Sequence, residues 1–522
     1  MRESRGPIDI IVPVYNAYED LLKCIDSLKK YTDLSIDRLI LINDCSPDER
    51  IAEYMQSLEK NIVVITNEKN MGFSNNINMG MKYSDDRDVV LLNSDTIVSR
   101  GWVDKIVECA YSKEEIGTVT PMSNSATLCS FPNMCQDNPL PEGIELDDLA
   151  EVIERCSLKA YPRITVAVGF CMFIKRKTIR DVGFFDAEAF ERGYGEENDF
   201  CNRAEQMGYI HVMCDDTFIY HKGTVSFMTE QKQKLIEAHD KILQERYPEQ
   251  MKKNHLYCIT NPDQYIRDNI MPYFHVKNGR KNILYLSHLD FIPKAEGSVG
   301  GTQFHVRDLT MQLKEKYNVF VMSRDKEHIR LTIYTDKTTD FFMFYVGKPE
   351  MFFTFTDSRL REIFASVLDG FEIDIVHVHH TDRMSFDLFY LAHERNIPIA
   401  VTLHDYYYIC PNVKLYSIEK GYCSGRCDDG ECAKCLKDNK NVATKRNYLN
   451  KWRYECKKVL DLSDVIVSPS EAAKKIYASI YPELENKITV IEHATEIRKE
   501  ENPHIDNIQR NLNIEYCYDK IK

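Results

Sequence analysis

The feature that most constrains this chain is a rhythm of short, continuous apolar runs separated by amphipathic stretches at helical spacing. Ile8-Asp9-Ile10-Ile11-Val12-Pro13-Val14 reads as a buried strand, and Leu21, Leu22, Ile25 and Leu28 follow on one face of a helix. Leu39-Ile40-Leu41-Ile42, Ile62-Val63-Val64-Ile65 and Val89-Val90-Leu91-Leu92 repeat the strand signal. Strands alternating with helices predict an α/β fold built on a mostly parallel, doubly wound sheet. In such a sheet ligands bind at the carboxyl ends of the strands, so the residues just after each run carry the functional information.

The rhythm lapses between Phe227 and Gly279, where Glu, Gln and Lys dominate, and restarts at Asn282-Ile283-Leu284-Tyr285-Leu286. Val306, Leu309 and Leu313 then share a helical face, and further strands fall at Ile373–Val376 and Val465–Val467. This predicts an α/β domain over 1–227, a helical connector over 228–280 and a second α/β lobe over 281–494. That lobe carries a Cys-rich insertion over 410–435, and a polar tail follows over 495–522. The last strand-like run ends at Ile491, leaving 31 residues. A further lobe of ordinary size, roughly 100–150 residues, is therefore not expected in this chain.

Composition narrows the partners. The net charge of −14 argues against a grip on a nucleic-acid backbone. No apolar run approaches the ~20 residues that cross a bilayer, and the start lacks the apolar core of a secretory signal. Seventeen scattered Cys suit a reducing compartment better than a disulfide framework. The expectation is a soluble cytoplasmic protein with at most peripheral membrane contact.

Each strand of the first domain ends in small, acidic or amide residues. Pro13, Tyr15 and Asn16 follow the first, Asp44 the second, Asn70 and Gly72 the third with Asn78 soon after, and Asn93-Ser94-Asp95 the fourth. Such groups can read a base, a ribose and a metal-bound diphosphate, and Asp95 suits a hard divalent cation. Singly, each is also an ordinary turn residue. Glu196-Glu197-Asn198-Asp199 is likewise either a solvated helix start or a carboxylate cluster in which neighbours raise one another's pKa. No Gly-x-Gly-x-x-Gly follows the first strand, which argues against a dinucleotide oxidoreductase.

Taken in order, IVPVYN, LINDCS, NEKNMGFSNNINMG, LLNSD, GFCMFIKR, GYGEENDFCNR and HKG resemble family-two glycosyltransferases of the GT-A fold, especially bacterial enzymes that build surface polysaccharides. The resemblance implies inverting transfer from a nucleoside-diphosphate sugar, uridine- or thymidine-linked, to a glycan or lipid-linked acceptor. It implies Glu197 as the base, Glu196 and Asp199 as supporting carboxylates, and Asp95 with His221 as ligands of Mg²⁺ or Mn²⁺. The donor would lie among Pro13, Tyr15, Asn16, Asp44, Asn70, Gly72, Asn78, Asn93 and Asp95. With a lipid-linked acceptor the protein would work at the inner face of the membrane. Where many relatives have Asp-x-Asp, this chain has Asn93-Ser94-Asp95.

In the second lobe, the Gly-rich segment before Phe304, then DIVHVH, VTLHD and VIVSPS, are similar to the N-terminal lobe of family-four GT-B transferases. That similarity implies a single Rossmann-like lobe, with Gly300, Gly301 and His404 lining its cleft. An alternative for this half is a non-catalytic glycan-binding or docking module. Cys423, Cys427, Cys432 and Cys435 have a spacing able to wrap a tetrahedral structural Zn²⁺, against the simpler reading of free thiols.

Overall fold

The computed structural model describes residues 5–83, 86–141, 143–190, 193–223, 230–291, 300–348, 355–417, 419, 421–426, 429–440 and 447–493. Cys427 and the expected tail over 495–522 lie outside the described residues. The chain divides into two compact units, Met1–Met271 and Pro272–Lys522.

The first unit runs β1 (Ile8–Val14), α1 (Tyr18–Tyr31), β2 (Arg38–Asn43), α2 (Glu49–Gln56), β3 (Val63–Thr66), α3 (Phe73–Tyr83) and β4 (Asp88–Leu92). It continues through β5 (Thr96–Ile97), α4 (Trp102–Tyr111), β6 (Ile116–Met122), α5 (Leu146–Cys156), β7 (Arg163–Ile164), β8 (Cys171–Ile174) and α6 (Arg176–Val182). Then come α7 (Glu196–Gln206), β9 (Ile210–Phe218), β10 (Tyr220–His221), α8 (Glu230–Arg246), α9 (Pro248–Thr260) and α10 (Gln264–Val276), the last of which crosses the unit boundary.

Eight strands form one sheet in the order β3-β2-β1-β4-β8-β6-β9-β7. The four apolar runs pair in parallel, as expected of strands buried on both faces. β8 then inserts antiparallel between β4 and β6, so the sheet is mixed. Asp9, fully buried inside β1, is balanced by Arg38, whose guanidinium donates to both its oxygens at 2.9 and 2.6 Å. A buried carboxylate without such a partner would be strongly destabilising.

The polar stretch expected as a connector behaves as part of this unit. Arg246 and Tyr247 each donate to Asp199 of α7 at 2.9 Å, and Gln250 donates to the Thr165 carbonyl at 2.8 Å. Arg267, fully buried, ties α10 to the carbonyls of Leu128 and Ser130 at 2.7 and 2.8 Å. The helices expected over this stretch are present, held by these polar side chains and by the buried Leu243, Ile266 and Ile270.

The second unit comprises β11 (Asn282–Ser287), α11 (Gly301–Leu313), β12 (Asn318–Asp325), β13 (His328–Tyr334), β14 (Thr339–Tyr345), α12 (Ser358–Gly370), β15 (Ile375–Val378), α13 (Asp387–Glu394) and β16 (Ile399–Thr402). It ends with β17 (Tyr416–Ser417), β18 (Gly421–Tyr422), α14 (Asp429–Lys440), α15 (Tyr448–Leu462), β19 (Val465–Ser468), α16 (Glu471–Ile480) and β20 (Ile488–Val490). Its sheet order is β14-β13-β12-β11-β15-β16-β19-β20. Six strands are parallel, as in a Rossmann-like lobe, and β13 and β14 add an antiparallel edge.

Candidate active site

In the first unit the carboxyl ends of β1, β2 and β4 open into a cavity of about 660 Å³ whose lining includes Pro13, Tyr15, Asp44, Asn70, Gly72 and Asp95. The expected strand-end residues therefore converge in space. The Asp44 carboxylate is engaged by its neighbours, accepting from Met71 N at 2.6 Å, Gly72 N at 3.1 Å and Asn67 Nδ2 at 3.0 Å. It thus fixes the loop ahead of α3. Tyr15 is half exposed at the rim.

Two expected donor residues fall elsewhere. Asn78 spends both ends of its amide on the backbone of Phe185, donating to its carbonyl at 2.8 Å and accepting from its N–H at 3.0 Å. It staples α3 to a neighbouring loop. Asn16 takes a left-handed turn conformation and its N–H reaches Ser46 Oγ at 3.2 Å; it shapes the β1–α1 turn without lining the cavity.

Asp95 meets His221 because β10 pairs with β5, placing His221 opposite Thr96. His221 Nε2 lies 3.4 Å from Asp95 Oδ1 and 3.5 Å from Asn93 Nδ2. Its Nδ1 donates to the Ser125 carbonyl at 2.6 Å, which leaves Nε2 as the free nitrogen when the ring is neutral. A carbonyl behind the ring and a bare nitrogen beside a carboxylate is the pattern of a metal-ligating histidine. Burial pushes the His221 pKa down, but the adjacent Asp95 carboxylate outweighs this and the net direction is up. The pair thus draws a positive charge, either a proton or a cation.

A second cavity of about 520 Å³ shares Phe73 and Asn93 with the first, so the two adjoin. Glu196 and Glu197 line it, with His221 and the segment Ser125–Thr127. Both acids sit in the first turn of α7, capped by Gly195. One carboxylate oxygen of each, Oε2, is buried with no hydrogen-bond partner. Burial is the main reason both pKa values rise, Glu196 well above its ordinary value with the neighbouring Glu197 charge second. The hydrogen bond between the two carboxyls raises Glu196 and lowers Glu197, so the upward direction is the stronger at Glu196.

Asp199 is fully buried and lines neither cavity. It accepts from Arg203 at 2.8 Å and from Arg246 and Tyr247, so its place is behind α7, holding the helix. Sequence reading missed His239, whose Nδ1 lies 2.9 and 3.0 Å from the carbonyls of Gly193 and Tyr194 and clamps the loop into α7. It also missed the wall formed by Cys135, Gln136 and Asp137. Neither belongs to a periodic or motif-like stretch.

In the second unit Gly300 caps α11, and His404 follows β16 within a group of imidazoles. The expected zinc staple is not supported. Among the described residues, the metal-competent groups whose ligand atoms converge are His305, His379 and His404, and not Cys423, Cys432 and Cys435. The sulfurs have other company: Cys423 donates to the Leu415 carbonyl at 3.3 Å, and Cys435 accepts from Asn412 Nδ2 at 3.6 Å.

Residues 9–183 match the profile of Glycosyl transferase family 2, and residues 299–498 that of Glycosyltransferase Family 4. The chain thus joins a family 2 glycosyltransferase domain to a family 4-like one. An uncharacterized glycosyltransferase of Haemophilus influenzae is 31% identical over 102 residues, 19% of this chain and 31% of that protein. The minor teichoic acid biosynthesis protein GgaB of Bacillus subtilis is 34% identical over 102 residues, 19% of this chain. Only 11% of GgaB is covered. The chain thus spans about a third or less of these two relatives. The solved structure of GalNAc-T7 with UDP, GalNAc and Mn²⁺ aligns over 52% of this chain and 56% of its own, with a TM-score of 0.36 and 13% identity. No helix among the described residues is long and apolar enough to cross a membrane.

Proposed function

We propose that the first unit is an inverting, metal-dependent glycosyltransferase. It moves a hexosyl or rhamnosyl group from a uridine- or thymidine-linked diphosphate donor to a glycan or lipid-linked acceptor. The observation that carries this reading is the pair Glu196 and Glu197, each with one buried, unpartnered carboxylate oxygen, lining a cavity that adjoins the one floored by Asp95. Two adjoining cavities suit a donor and an acceptor, and the bare carboxylate lies on the acceptor side. The family 2 match and the similarity to a teichoic acid biosynthesis protein support a polysaccharide product, and we place its synthesis in the cytoplasm or at the inner membrane face.

Asp95 and His221 fit a divalent cation and would hold Mg²⁺ or Mn²⁺, which neutralises charge on the departing diphosphate when bound. Tyr15 offers a ring face at the rim, and Asn70 lines the same cavity where the donor's ribose and phosphates would lie. Glu197 takes the acceptor hydroxyl's proton as that oxygen attacks the anomeric carbon. Glu196 stands beside Glu197 as a supporting carboxylate and holds the base in place. Asp199, Arg246 and His239 position the helix and loop that carry them.

The test is Glu197→Gln in the full chain, assayed against a panel of nucleotide sugars. Loss of the base is expected to lower kcat by about 10²–10⁴-fold with donor affinity unchanged. Wild-type turnover in that variant, or no donor bound by the wild type, would overturn the reading.

A further inference from the structure

Five histidines of the second unit pack together at the carboxyl ends of its parallel strands. His379 follows β15 directly, His404 lies two residues beyond β16, His305 stands in α11, and His493 lies three residues past β20. His377, inside β15, stacks beneath with its ring 4.1 Å from that of His379. The topology gathers residues far apart in sequence into one cluster, and the proposed sugar-transfer chemistry of the first unit uses none of them.

We propose that His305, His379 and His404 form a binding site for a borderline divalent transition ion of the Co²⁺, Ni²⁺ and Zn²⁺ class. One ligand nitrogen from each ring lies within 4.8 Å of the others. The His379 Nδ1 to His404 Nε2 separation is 3.1 Å. Two ligands at 2.0–2.1 Å from a tetrahedral ion stand about 3.3 Å apart, so that pair is already at ligand spacing. Small rotations of His305 would close the third position. His493 Nδ1, 2.8 Å from His305 Nδ1, stands beside the site and is placed to fill or guard the fourth.

The contacts around these rings run from imidazole to imidazole: His379 is almost wholly buried, its Nδ1 faces His404 Nε2, and His305 Nδ1 faces His493 Nδ1. An all-imidazole donor set favours borderline ions over Mg²⁺ or Ca²⁺, which take oxygen. His377 anchors the layer below, its Nε2 2.8 Å from Thr402 Oγ1. An ion here would pin α11 to the ends of β15 and β16.

The experiment uses the full chain carrying no polyhistidine tag, stripped with chelator and titrated with Co²⁺ by absorption spectroscopy. One tight equivalent is expected, with tetrahedral d–d bands and no thiolate charge-transfer band. Affinity should fall at least about tenfold in His379→Gln and in His404→Gln. It should persist in the Cys423→Ser/Cys435→Ser double variant and in Asp95→Asn, which separates this site from the cysteines and from the first unit. Absence of that spectrum in the wild type overturns the proposal whatever the variants do. So does unchanged binding in folded His variants, or loss of the signal in the Cys double variant.

Discussion

Gly195 caps the helix that presents Glu196 and Glu197, and replacing it with alanine tests whether that cap sets the catalytic geometry. Its φ is +134°, a conformation that side chains rarely adopt, and forcing one there costs about 1–3 kcal/mol. An added Cβ would stand 2.9 Å from Phe190 Cε1 and 3.3 Å from Leu243 Cδ1. Neither neighbour can easily yield. Phe190 is fully buried with its ring edge against His239, whose Nδ1 lies against the Gly193 and Tyr194 carbonyls. Overpacking of this kind adds a further ~1–3 kcal/mol, so the total is about 2–6 kcal/mol. Gly208, just after the same helix, is the control: its φ is +90° and an added Cβ meets nothing within 4 Å. Gly208→Ala carries the backbone cost alone. Thermal unfolding should rank Gly195→Ala below Gly208→Ala by the packing component. Only Gly195→Ala should also lose turnover, by about 10²-fold for an ångström-scale displacement of the base. Equal destabilisation of the two variants, or a destabilised Gly195→Ala with wild-type kcat, would refute the reasoning.

Removal of divalent ions by chelator should abolish sugar transfer, with Mn²⁺ or Mg²⁺ restoring it; Asp95→Asn should demand more metal for half-maximal rate, read from a metal titration of activity. Glu196→Gln should stabilise the fold near neutral pH. The folded-state pKa of Glu196 lies above its ordinary value of 4.5, so wild-type stability is complete below that pH and falls as pH rises toward the folded value. The melting-temperature gain of the variant over wild type should accordingly grow from pH 4.5 upward, and a pH-independent gain would contradict the assignment.

The central strands, their order of appearance and the residues at their ends were legible because burial on both faces demands continuous apolar runs. Asp44, Asn70, Gly72 and Asp95 met in one cavity as strand-end logic predicts. Asn78 did not, because an amide one turn into a helix can be consumed by a nearby backbone, which the sequence does not display. The antiparallel β8 and the Cys135–Asp137 wall were not legible either, since neither strand direction nor loop path has a periodic signature. Cys423, Cys432 and Cys435 have suggestive spacing, but spacing does not say where sulfurs point. His305, His379 and His404 converge in the folded chain, and their wide separation in sequence gives no sign of it.

The two units place opposite electrostatics at the same topological position. In the first, the β2 carboxylate is already satisfied by backbone N–H groups, while the β4 carboxylate, Asp95, is left with an imidazole nitrogen at 3.4 Å. A diphosphate brought to that floor would meet a bare negative charge, and in a partly buried cleft such repulsion is far stronger than in water. On the proposed reading, a cation held by Asp95 and His221 would relieve that repulsion. In the second unit the strand ends carry buried imidazoles held neutral, and Asp405 is itself occupied by Tyr407 N at 2.8 Å and His380 Nε2 at 3.1 Å. Neutral rings exert no such repulsion, so an ion among them would not be needed to receive an anion. Its effect would be mechanical, cross-linking strand ends and helix. A metal in the first unit should therefore be felt in turnover and donor affinity, and one in the second chiefly in the stability of its lobe.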